Sequence, residues 1–149
     1  MNALPNGPLL LDTGIYIRSA RGEDYQWLTE DDQIFIRTIL SAVVAAELYA
    51  GTRERREKRT LDDLCRAYHA LGHFLAPPAS AWIESGILLR RARNTFGQMH
   101  FAHHFRDVLI AEEAARAGAT LVTENVKDFE RWRGLLAAGK KRLKLFDPC

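Results

Sequence analysis

Cysteine is scarce in this chain: Cys65 and Cys149 are the two among 149 residues. They form no CxxC pair and have no metal-ligand spacing, which leaves out a thiolate metal site and a disulfide framework. A reducing compartment is therefore the expectation. Long apolar runs are also lacking, and none approaches the ~20 residues of a membrane span. Pro5, Gly7 and Pro8 interrupt the opening stretch, so no signal peptide is legible there. There is no internal repeat and no low-complexity segment. A strong charge of one sign is missing too: the formal net charge is +2, which by itself says little about partners. These absences lead to the expectation of one soluble, cytoplasmic domain over residues 1–149, without membrane association.

What is present is an ordinary globular balance, 47% hydrophobic and 27% charged, in a chain long enough to bury a core without staples. The positive charge is unevenly spread. Residues 53–59 read RERREKR, and Arg131, Arg133, Lys140, Lys141, Arg142 and Lys144 fall in a stretch without an acid from 131 to 144. Such runs suit a polyanion, although a solvated face is the simpler reading of either alone.

Hydrophobic patterning suggests strands alternating with helices. Residues 9–12, LLLD, read as a strand buried on both faces and ended by a carboxylate. IFIRTIL, 34–40, reads as a second strand, followed by Ser41 as N-cap of a helix over 42–51 that Gly51 stops. Further helices are expected over 61–74 and 80–93, with 52–60 left open between loop and helix. A polar loop is expected over 94–104, and a helix beginning at Asp107 and stopping at Gly118. A strand over 120–123, a short helix over 126–131 and a last strand over 144–146 complete an α/β sandwich around a mostly parallel sheet.

Four acids stand apart from the charged clusters. Asp12 ends the first apolar run, Glu47 lies inside VVAAEL, Asp107 opens VLIAEEAA, and Asp128 follows the strand that ends LVT. A buried carboxylate is costly unless paired or bound to a metal. Singly, each has a bland explanation: a strand-end cap for Asp12, a salt bridge to an arginine for Glu47, a helix N-cap for Asp107, a structural hydrogen bond for Asp128. Together they suggest one shared site, because ligands of parallel α/β sheets gather beyond the carboxyl ends of the strands. Carboxylates without His or Cys partners suit a hard cation, Mg2+ or Mn2+. Asp107 is expected in a first helical turn, and Glu112 and Glu113 on the solvent face of the same helix. The segment His100 to His104 offers imidazoles but no second cluster to complete a zinc site.

The blocks LLLDTGIYI, SAVVAAELYAG and RDVLIAEEAARAGATLVTENVKDF resemble, in order and spacing, the successive motifs of the PIN-domain family, and their form resembles its VapC-type toxin ribonucleases. The resemblance runs along nearly the whole chain. It implies a PIN-like three-layer α/β/α sandwich. It also implies an endoribonuclease that uses a metal-activated water and leaves a 5′-phosphate and a 3′-hydroxyl. Asp12, Glu47 and Asp107 match the principal Mg2+ ligands (Mn2+ substituting), and Asp128 the less constant fourth acid. Thr13 and Ser41 match polar residues that orient the acids or face the substrate. Asn125 matches a position that assists the metal shell or the substrate phosphate. RNA, a VapB-type antitoxin and a second copy of the chain are the implied partners. Three departures touch fine positioning: Gly14, Arg106 immediately before Asp107, and Glu124 before Asn125. A non-catalytic RNA-binding PIN domain is the alternative. A dehalogenase-like phosphatase fits poorly, since Gly14 stands where its second aspartate would be.

Overall fold

A computed structural model describes residues 3–149. Its strands are β1 (Leu9–Leu11), β2 (Thr38–Ser41), β3 (Phe74–Leu75), β4 (Thr120–Val122) and β5 (Lys144–Phe146). They form a sheet in the order β3-β2-β1-β4-β5, and every pairing is parallel. The helices are α1 (Thr13–Ala20), α2 (Trp27–Glu30), α3 (Asp32–Phe35), α4 (Ala42–Ala50), α5 (Arg55–Leu71), α6 (Ala79–Phe96), α7 (Phe101–Arg116) and α8 (Val126–Ala138).

Successive strand residues point to opposite faces, yet Leu9, Leu10 and Leu11 are all fully buried. Both faces of the central strand are therefore covered, which makes the molecule the three-layer α/β/α sandwich that the PIN resemblance implies. Trp132 of α8, Tyr68 of α5 and Ile110 of α7 are among the largest core side chains that cover it. Among the described residues, no helix is long and apolar enough to cross a membrane.

Several expected boundaries move, each for a local reason. Ile34 and Phe35 belong to a short helix, because the Asp31 carboxylate accepts hydrogen bonds from Gln33 N and Ile34 N and caps a turn there. The second strand starts only at Thr38. The open segment 52–60 is helical from Arg55. The helix expected over 61–74 ends at Leu71, where Gly72 takes the left-handed conformation (φ 72°) and turns the chain into β3. The expected loop 94–104 is mostly helix: α6 runs to Phe96 and α7 begins at Phe101. The helix after β4 extends to Ala138 rather than 131, since Trp132 and Leu136 continue its buried stripe.

Two consequences concern the acids. Asp107 is the seventh residue of α7 rather than a first-turn residue, so neither a cap nor the helix dipole accounts for it. Glu112 and Glu113 are buried, at 0% and 5% exposure, rather than on a solvent face, because α7 is covered on nearly all sides from Val108 to Ala114.

A candidate active site beyond the carboxyl ends of the central strands

β1 ends at Leu11, and Asp12 both leaves the strand and caps α1. Its backbone N donates to Val122 O of β4, which pins it to the neighbouring strand (3.0 Å). Its carboxylate is held from two sides. Oδ1 accepts from Thr13 N (2.8 Å), and Oδ2 accepts from the Thr123 hydroxyl just past β4 (2.8 Å). Thr123 is itself fully buried and accepts a hydrogen bond from Asn125 N (3.0 Å).

Glu47 reaches the same place from α4. Ser41 ends β2 and its hydroxyl accepts from Val43 N (3.2 Å), starting α4 at the strand's end. One and a half turns later Glu47 Oε1 accepts from the Thr13 hydroxyl (3.0 Å). Thr13 thus ties the first two acids together, with its backbone on Asp12 and its side chain on Glu47. Ser41 is fully buried beneath the site.

Asp107 arrives from α7, and beside it Arg106 inserts its guanidinium between all three acids. Nε donates to Glu47 Oε1 (2.5 Å), Nη1 to Asp107 Oδ1 (2.6 Å), and Nη2 to Asp12 Oδ1 (2.5 Å) and Thr13 Oγ1 (2.9 Å). Three carboxylates drawn from three separate elements therefore converge on one planar cation, whose fork of donors suits several carboxylate oxygens at once. Burial works to lower the Arg106 pKa, but the charge of Asp12 and the hydrogen bonds to Asp107, Asp12 and Glu47 outweigh it and hold it above its ordinary value. For Asp107 the balance goes the other way. Burial raises its carboxyl above the usual value, the charges of Asp12 and Asp128 add to this, and Arg106 opposes without cancelling them.

The expected site residues thus divide. Asp12, Glu47 and Asp107 share one focus, with Thr13 bridging two of them. Asp128 lies exposed in the first turn of α8, near enough for its charge to act on Asp107. Asn125 is exposed at the N-terminus of α8, and its side chain makes no capping bond. Sequence reading assigned Arg106 only a disturbance of fine positioning; the structure makes it the hub. Thr123 was not singled out at all. Its signal was its place at the end of a buried strand, level with Asp12.

The basic run 131–144 is largely engaged elsewhere. Arg133, Lys140, Lys141, Arg142 and Lys144 line an open groove of about 610 Å³ that includes the amino end of β5, whereas the acids lie beyond the carboxyl ends of the strands. Lys141 Nζ donates to Glu112 Oε1 (2.6 Å), and Lys144 Nζ to Gly118 O (3.0 Å). His104 packs against Trp132, with ring centroids 5.6 Å apart.

This arrangement, an all-parallel sheet with carboxylates gathered past its central strands, defines a PIN-like fold class. Known structures agree with it. A chain of DNA-bound VapBC from Salmonella typhimurium superposes with a TM-score of 0.68 at 20% identity, covering 97% of this chain and 100% of that one. A chain of FitAcB from Neisseria gonorrhoeae gives 0.65 at 21% identity, covering 94% and 97%. A chain of VapBC2 from Rickettsia felis, bound to a DNA fragment from its promoter, gives 0.64 at 20% identity, covering 93% and 97%. At these identities the likeness is one of fold. No protein-family model matches the sequence, and no curated protein matches it.

Proposed function

We propose that this chain is a VapC-type toxin of a type II toxin–antitoxin pair and that it acts as a Mg2+-dependent endoribonuclease. The observation that carries the reading is the convergence of Asp12, Glu47 and Asp107 on a single cationic group. Residues that lie far apart in the chain, on β1's end, α4 and α7, are brought together beside one strand end, where parallel sheets bind ligands.

The donor set fits a hard divalent ion in its chemistry: carboxylate oxygens from three residues, with Asp128 nearby and no sulfur or imidazole among them. With Arg106 seated among them, no group of three or more His, Cys, Asp and Glu among the described residues is arranged to hold a metal. Asp12, Glu47 and Asp107 would be the holders, Asp128 the outer acid. A bound divalent ion supplies hydroxide at neutral pH and offsets the charge of a phosphodiester under attack.

The chain's own residues prepare that chemistry. Thr13 N and the Thr123 hydroxyl fix both oxygens of Asp12, and the Thr13 hydroxyl fixes Glu47, so two acids are oriented independently of any ion. Burial, with the charges of Asp12 and Asp128 added, makes the ionised Asp107 carboxyl costly, and a cation beside it would offset that cost. Asn125, exposed at the N-terminus of α8, would meet a substrate phosphate in this reading. By likeness to the complexes named above, a VapB-type antitoxin is a proposed partner; RNA as substrate, a second copy of this chain and a cytoplasmic location are proposed from the resemblance of the sequence blocks alone.

The test is end-mapping of cellular RNA after a brief pulse of wild type or Asp107→Asn. New 5′-phosphate ends are expected only with wild type. Cleavage by the purified protein should stop with EDTA and resume with Mg2+ or Mn2+. Full cleavage by Asp107→Asn, or cleavage indifferent to EDTA, refutes the metal-dependent nuclease. Growth arrest on expression, relieved by a small protein encoded beside it, is expected of the toxin; harmless expression of active enzyme refutes that role.

A further inference from the structure

We propose that Arg106 is a resident counter-cation that competes with the divalent ion for Asp12, Glu47 and Asp107, so that metal enters only as the guanidinium withdraws. The inference rests on the metal-site reading above and adds to it a gate carried by this chain itself.

The geometry assigns each donor nitrogen of the guanidinium a different carboxylate, so Arg106 occupies the focus at which the three acids meet. One positive charge among three negative ones leaves an excess of negative charge, and Asp128 increases it. A divalent ion therefore has reason to enter. A divalent ion and a guanidinium crowded among the same three carboxylates would repel one another, and these carboxylate oxygens cannot serve both in full.

Which member moves is set by what else holds each one. Asp12 keeps Thr13 N and Thr123 Oγ1 without Arg106, and Glu47 keeps Thr13 Oγ1. Among the described residues, the Arg106 guanidinium bonds only to the three acids and to Thr13. Its side chain is 30% exposed while that of Asp12 is 6% exposed, so the guanidinium covers the deepest acid from the solvent side. Its flexible stem gives it a way out toward water, whereas the acids beneath are tied to strand ends.

The experiment measures Mn2+ binding by calorimetry and by electron paramagnetic resonance on wild type, Arg106→Gln and Arg106→Lys. Arg106→Gln should bind Mn2+ about tenfold more tightly or better. Arg106→Lys, which keeps the charge but loses the fork, should fall between the other two. In wild type, a Mg2+ titration followed by NMR should shift the Arg106 Nε–H signal, identified by its loss in Arg106→Gln, as the ion binds.

Equal Mn2+ affinity in wild type and Arg106→Gln overturns the proposal while leaving the metal site standing. So does equal affinity in wild type and Arg106→Lys, which would mean that charge alone, not the seated fork, sets the competition. So does an Arg106 signal that stays put while Mg2+ binds; the titration is read on wild type, and the loss of the signal in Arg106→Lys identifies it equally should Arg106→Gln fail to fold. Absence of Mn2+ and Mg2+ binding in every form removes the metal-site reading and the gate with it.

Discussion

Two turns of the same helix treat buried carboxylates differently. At the start of α7's buried stretch, Asp107 shares Arg106 with two acids from other elements. One and a half turns on, Glu112 is fully buried and is gripped by Arg116 (2.9 Å) and Lys141 (2.6 Å), both its own. Among the described residues, neither oxygen of its neighbour Glu113 has a hydrogen-bond partner that meets normal geometry; burial pushes its carboxyl up to about 7, with the Ser41 hydroxyl opposing. Excess acid around one shared cation marks a place able to exchange it for a cation of higher charge. A carboxylate with two dedicated cations is a structural tie. A carboxyl with none resolves its burial by holding a proton.

Substitutions sharpen or break that contrast, the first turn being read by activity and the second by stability. Asp12→Asn or Asp107→Asn should lower kcat/KM for RNA cleavage by ~10²-fold or more, since even outer partners of metal ligands are worth 10–100-fold. Circular dichroism and the melting temperature should stay near wild type. A variant with full activity would place the chemistry elsewhere.

In the second turn, Arg116→Ala combined with Lys141→Ala strands a fully buried Glu112, and urea unfolding should show a loss of about 3 kcal/mol. Cleavage of the remaining folded protein should be unchanged. A loss below about 1 kcal/mol would mean that Arg116 and Lys141 are not the structural tie for Glu112, and the distinction between the two glutamates would vanish.

Glu113 supplies a pH signature. Its folded pKa is raised from 4.5 to about 7, so the folded state keeps a proton that the unfolded chain releases first. Stability should therefore fall as pH rises from about 4.5 to 7 and level off above, by about 2–3 kcal/mol in all. Glu113→Gln should remove that slope from denaturation midpoints measured across the window. A variant whose slope matches wild type would assign the dependence to other groups. The smallest effect is expected from Thr123→Val, which takes one hydrogen bond from Asp12 Oδ2. About 1 kcal/mol of stability and roughly tenfold in cleavage should be lost.

The carboxylates were legible in the sequence because Asp12, Glu47 and Asp107 each end, interrupt or open an apolar run, and an acid there demands an explanation that one in RERREKR does not. The parallel sheet was legible for a similar reason: LLL without polar alternation has to be buried on both faces. The second strand was misplaced at its start because Ile34 and Phe35 have strand composition, while Asp31 capped a helical turn over them. Glu112 and Glu113 were assigned to solvent because paired glutamates on a helix usually face it. Arg116 lies a turn away and could have hinted at a partner for Glu112, but Lys141 comes from beyond β4 and α8, a contact that no local spacing announces.

The residues of this chain determined, through burial cost and periodicity, that a parallel α/β sheet forms and that a few acids sit at its strand ends. Those properties are local, and a run of three leucines or a lone aspartate after it carries them unaided. Which acids meet, and what stands between them, was decided only by the folded chain. Arg106 lies 94 residues from Asp12 and 59 from Glu47. Its role follows from where α7 packs against α4 and β4, a matter of helix packing over long separations that a linear string does not record.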